Sequence, residues 1–118
     1  GQSIPKGGAN MHIEFNSNEP IYIQIIKHFK QQIVLGNFKL GDEVPSRREL
    51  AAMLKVNANT VQRAYKEMED QGIIVTVRNF QSTVTTNAES ISIIKQELIE
   101  EALDSFVKAL EPIGVRAK

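Results

Sequence analysis

From Ile21 onward, apolar side chains return every four residues at Ile25, Phe29 and Ile33, with Tyr22 and Ile26 widening the stripe. That spacing predicts an amphipathic helix with one face turned inward. Pro20 suits its first turn, where a missing N–H costs nothing, and Gly36 suits a left-handed cap after Leu35. Upstream, residues 12–19 are polar apart from Ile13 and Phe15 and read as a short arm; downstream, residues 37–43 read as a turn-rich connector around Gly41 and Asp42. Ser46 and Glu49 then stand at capping-box spacing, so a second helix of about two turns opens there, with Leu50, Ala51 and Leu54 facing inward. Lys55 and Val56 make a turn, Val56 as a buried wedge, and Asn57 caps a third helix whose core stripe is Val61, Ala64, Tyr65 and Met68. Gly72 stops it. The β-branched run 73–77, a turn at 78–81 and a return strand at 82–86 predict a small hairpin. Asn87 caps a long fourth helix with apolar positions at Ile91, Ile94, Leu98, Ala102, Phe106 and Leu110, flanked by Ile99, Leu103 and Val107, and ended by Pro112 and Gly114. That stripe is wider than one small domain needs to cover a helix of this length.

The predicted order is three helices, two strands and a separate helix. It specifies a mostly α fold with a small β wing: a winged helix-turn-helix domain plus a C-terminal helical tail. At 118 residues this is one domain with an appendage. Residues 1–11 are glycine-rich and read as a tag remnant ending at Met11, the expected native start; 12–86 form the winged domain and 87–118 the tail. The chain contains no Cys, which excludes disulfides and thiolate metal sites. No apolar run approaches the roughly 18–20 residues of a membrane span, so no membrane partner is expected.

Formal net charge is zero, which argues against a nucleic-acid binder until the distribution is considered. Residues 20–86 hold nine Lys/Arg against six Asp/Glu, whereas residues 87–118 hold four against six. A basic middle and an acidic tail matter more for phosphate affinity than the sum. Small residues at the start of the third helix (Asn57, Ala58, Asn59, Thr60) let its backbone approach a DNA groove, as a recognition helix does. Asn59 can read adenine and Arg63 guanine, while the Ala58 or Thr60 methyl can touch a thymine methyl. Gln62 and Lys66 share that face. Asn57 and Thr60 also have plain structural readings, as a cap and a first-turn residue. Ser46, Arg47 and Arg48 sit at the start of the second helix, where cations oppose the helix dipole. A neighbouring polyanion explains that placement; a surface pair with Glu49 or Asp42 is the alternative. His12 and His28 are far apart with no carboxylate cluster joining them, so no metal site is expected. No phosphate-binding loop, dinucleotide turn or nucleophile motif is present, so neither a cofactor nor catalysis is expected.

The phrase PSRRELA, followed by VNANTVQRAYKEMEDQG and a β wing, resembles the DNA-binding domain of GntR-family transcription regulators. N-x-N-T-V-x-R-A-Y and the short C-terminal part resemble the YtrA subfamily. The resemblance covers about residues 19–86 well and the tail more loosely. It implies a bacterial, cytoplasmic, homodimeric repressor that binds a palindromic operator on double-stranded DNA, with a transporter operon as the regulated target. By resemblance Arg48 contacts the operator, the recognition-helix positions fall on Asn57, Ala58, Asn59, Thr60, Gln62 and Arg63, and the wing position falls on Arg78; Ser46, Arg47 and Asn79 complete the expected contact set. The family's wing tip is Arg-Gly-x-Gly, whereas here Arg78 is followed by Asn79, Phe80 and Gln81. Asn79 tolerates positive φ better than most residues; Gln81 is a poorer substitute for the second glycine. The dimerisation set is Ile91, Ile94, Leu98, Ala102, Leu103, Phe106 and Leu110. Without a sizeable effector domain, a small-molecule effector is possible only between tail and winged domain or at the dimer seam. The rival reading is a winged-helix protein-interaction module that uses the tail helix as its partner surface and has no DNA role.

Overall fold

The computed structural model describes residues 11–77 and 81–113. Its helices are α1 (Ile21–Val34), α2 (Arg47–Leu54), α3 (Ala58–Asp70) and α4 (Ala88–Leu110). An antiparallel hairpin of β1 (Ile74–Thr76) and β2 (Ser82–Val84) separates α3 from α4, and a short 3-10 turn, Glu111–Ile113, follows α4. The hairpin pairs Ile74 with Val84, Val75 with Thr83 and Thr76 with Ser82. Both strands are shorter than the sequence predicts. The ladder ends as the chain turns into the flanking helices, although the Thr85 N–H still donates to the Ile73 carbonyl at 2.9 Å.

Local chemistry sets the helix ends. Gly36, Gly41 and Gly72 all have positive φ, near 80°, the region where glycine avoids the Cβ penalty. Ser46 and Glu49 form the full capping box: the Ser46 hydroxyl accepts from the Glu49 N–H at 3.1 Å, and the Glu49 carboxylate accepts from the Ser46 N–H at 3.0 Å. Lys55 ends α2 in the left-handed region, φ 56°. The resulting sharp turn places the Asn57 cap two residues later, and α3 begins at Ala58. Val56 is half-buried against the core rather than fully enclosed.

The core lies where α1, α2 and α3 meet, closed by the hairpin on one side and the first turns of α4 on another. Ile25, Phe29, Leu50, Val61, Ala64, Tyr65 and Met68 are fully enclosed. Phe29 stacks on Phe38 with centroids 5.5 Å apart and meets Tyr65 edge-on at 5.8 Å. The connector before α2 runs along β2: the Val44 N–H donates to Ser82, the Gly41 N–H to Val84, and the Val84 N–H to Asp42. The Gln81 side-chain amide adds a 2.7 Å bond to the Val44 carbonyl. So the residue at the wing's second expected glycine position ties the wing base to the connector.

Two features lie outside what the sequence pattern shows. The arm before α1 packs on the domain: Met11 is only 4% exposed, and Ile13 and Phe15 lie half-buried against the core. Its apolar positions alternate, so an extended segment turns them to one side. The Gln24 side chain holds the arm through both Asn16 and Glu19, and Lys27 pairs with Glu19 at 2.6 Å. The stripe on α4 also divides. Ile94 is buried, and Ile91 and Leu98 pack half-buried on the chain's own core; these three members of the dimerisation set therefore contact their own domain. Beyond Leu98 the helix outruns the domain, leaving Ile99, Leu103 and Phe106 between 44% and 62% exposed.

The Tyr65 hydroxyl donates to the Pro45 carbonyl inside this core. Burial pushes its phenol well above the usual range. Tyr65→Phe leaves a buried carbonyl unpartnered and is expected to cost about 1–3 kcal/mol in urea denaturation. Because the folded chain holds this proton more tightly, the stabilisation is complete below the unfolded pKa of 10.0 and declines as pH rises above it. Melts across pH 9–11 should therefore show a smaller alkaline loss in Tyr65→Phe than in the parent chain.

Candidate nucleic-acid interface

The first turns of α3 present two chemically opposite sides. Val61, Ala64, Tyr65 and Met68 are buried, while Ala58, Asn59, Gln62, Arg63 and Lys66 are exposed and Thr60 is half-buried. The 3.6-residue period produces this division, since positions 58, 59, 62, 63 and 66 share the side opposite the core. Asn57 does its capping work first: its side chain accepts from the Asn59 N–H at 2.7 Å. The Asn59 side chain remains on the exposed side.

The two arginines of α2 have different surroundings. Arg48 is exposed beside Ser46, the exposed capping residue. Arg47 turns inward: its guanidinium pairs with Glu69 at 3.1 Å and lies 5.1 Å from the Tyr65 ring centroid. Glu69 belongs to the last turns of α3, so Arg47 bridges α2 and α3. The alternative to a DNA contact for Arg47 was a surface pair with Glu49 or Asp42; the fold pairs it instead with Glu69, 22 residues away.

Arg63 has yet another environment. Its guanidinium carbon lies over the Tyr22 ring, 3.9 Å from the centroid. Tyr22, with Pro20 and Ile21, forms one wall of an open cleft, and Asn59, Thr60 and Arg63 form the other. The sequence pattern marks Tyr22 only as a residue widening the α1 stripe. Nothing in the local sequence signals that it meets the third helix. Arg78 and Asn79, assigned to the wing contact, lie outside the described residues.

A short helix, a sharp turn, a helix with an exposed polar side and a β wing together define a winged helix-turn-helix, the architecture of a DNA-binding transcription regulator. The family model for bacterial regulatory proteins of the gntR family matches residues 21–84, and the chain belongs to the GntR family. It is 39% identical over 105 residues to YhcF of Bacillus subtilis, an uncharacterized HTH-type transcriptional regulator, covering 89% of this chain and 87% of that one. To the HTH-type transcriptional repressor YtrA of the same organism it is 37% identical over 107 residues, covering 86% and 82%. A solved GntR family transcriptional regulator from Listeria monocytogenes matches with a TM-score of 0.79 at 34% identity, covering 86% of this chain and 90% of that chain.

The contrast between the paired Arg47 and the exposed Arg48 is measurable. Arg47→Ala removes an ion pair and a ring contact at a half-buried site, so it should cost about 1 kcal/mol of stability. Arg48→Ala should stay within about 0.5 kcal/mol of the parent chain. Urea denaturation of the two variants side by side checks this; equal stabilities rule out the bridging role of Arg47.

Proposed function

We propose that this chain is a homodimeric transcriptional repressor that lays the start of α3 into the major groove of a palindromic operator. The observation that carries the reading is the exposed polar side of α3, with Asn59, Gln62 and Arg63 together on a helix whose other side is locked in the core. Asn and Arg offer paired donors and acceptors that match adenine and guanine edges. Arg48, Ser46 and the backbone at Ala58 and Thr60 serve to seat the helix on phosphate and groove wall. Arg78 and Asn79 extend the contact through the wing. The relative YtrA is named a repressor, which supports that sign of regulation here.

The distal half of α4 supports the twofold arrangement. Ile99, Leu103 and Phe106 stand exposed beside Ala102 and the half-buried Leu110. Pairing of this segment with its mate removes that apolar surface from water. A twofold protein then matches a twofold operator, with half-sites spaced by whole turns of about 34–36 Å.

An operator obtained by selection from a random duplex pool tests the base-reading assignment. Arg63→Ala should lower operator affinity about 10- to 100-fold, the range for one lost bidentate base contact, while random-duplex affinity changes about threefold or less. Equal losses on both duplexes rule out base reading. Arg48→Ala should flatten the salt dependence of binding by about one unit if it holds a phosphate. For the dimer, Phe106→Asp should sediment as a folded monomer and bind the operator weakly; a persistent dimer places the contact elsewhere.

A further inference from the structure

Among the described arginines, Arg63 combines two features. It occupies the exposed side of α3 without an ion pair to any described carboxylate, and its guanidinium carbon sits 3.9 Å from the centre of the Tyr22 ring. We infer that Tyr22, on the first turn of α1, is a positioning residue for DNA reading: it holds the Arg63 guanidinium flat against its ring with the N–H edge turned toward the groove. The inference rests on the base-reading role proposed for Arg63.

A guanidinium stacked on an aromatic ring uses its π face, while its five N–H donors lie in the plane and point outward at the rim. Stacking therefore leaves the donors of a bidentate base contact available. An ion pair does the opposite, since a carboxylate occupies the donors directly; Arg47, held by Glu69, shows that arrangement in the same domain.

The platform is itself fixed. Tyr22 is half-buried and packs against the core, and α1 is anchored beneath it by the enclosed Ile25 and Phe29. An exposed arginine otherwise samples many rotamers, and ordering such a side chain at an interface lowers affinity by about 2- to 10-fold. A side chain already ordered on a rigid ring avoids most of that loss. The same ring forms a wall of the cleft that also holds Asn59 and Thr60, so α1 shapes the edge of the reading surface. The sequence places Tyr22 and Arg63 forty-one positions apart, so no local motif announces the pair.

The test uses the full chain, the selected operator duplex and a random duplex of equal length. Tyr22→Leu keeps an apolar side chain against the core and removes the ring. It should weaken operator binding about three- to tenfold and leave random-duplex binding within about twofold. Tyr22→Phe retains the ring and should bind the operator like the parent chain. In the Arg63→Ala background, Tyr22→Leu should have no further effect, because positioning acts only through Arg63. The stack has its own readout: the Arg63 Nε–H resonance should be shifted by the ring current in the parent chain and in Tyr22→Phe, and should lose that shift in Tyr22→Leu. A thermal melt confirms that each variant is folded. Full operator affinity in folded Tyr22→Leu, or additive losses in the double variant, overturns the positioning role while leaving base reading by Arg63 intact. Unchanged discrimination in Arg63→Ala overturns base reading itself, and the inference with it. A loss in Tyr22→Phe equal to that in Tyr22→Leu assigns the effect to the hydroxyl and likewise overturns the stack.

Discussion

The disposition of the two crossing helices depends on Tyr65. Its ring is enclosed by the core and meets Phe29 edge-on, its hydroxyl donates to the Pro45 carbonyl just before α2, and the Arg47 guanidinium lies near its ring while pairing with Glu69. One side chain on α3 thus engages α1, the entry to α2 and the first turn of α2. A buried phenol without its acceptor is costly, so the angle between α2 and α3 is held by a polar requirement as well as by packing. The exposed side of α3 inherits its orientation from that constraint.

Around this hub, polar side chains work mostly at boundaries. The Ser46–Glu49 box starts α2, Asn57 starts α3, and Asn87 starts α4 by accepting from the Glu89 N–H. Each satisfies backbone donors that a helix leaves without internal partners. Gln81 and Gln24 do comparable work over longer distances, fastening the wing base to the connector and the N-terminal arm to α1. Arg48 on α2 and Arg63 and Lys66 on α3 are left on the outside. A chain of zero net charge can therefore meet a polyanion on one side, since counterion release depends on the local patch.

The long helix α4 serves two purposes in sequence along its length. Its first turns close the core through Ile91, Ile94 and Leu98; its later turns project beyond the domain with Ile99, Leu103 and Phe106 exposed. Burial of the first half fixes the direction of the second, so the mate in the proposed dimer would be held rigidly relative to α3. Rigid spacing of this kind is what recognition of two half-sites requires.

Much of this protein was legible in its residues. Helical periodicity gave four helices, capping chemistry gave their starts, and the β-branched run gave the hairpin, because these depend on neighbours within a few positions. The family pattern around PSRRELA and VNANTVQRAYKEMEDQG identified the domain and the exposed side of α3. Contacts between distant segments were not legible. The sequence could not distinguish the inward Arg47 from the outward Arg48, divide the α4 stripe between core and surface, or show that the arm carrying Met11, Ile13 and Phe15 lies on the domain. Nor could it bring Tyr22 beneath Arg63. Each of these depends on which helix faces cross, and only the packing around Tyr65 and Phe29 decides that.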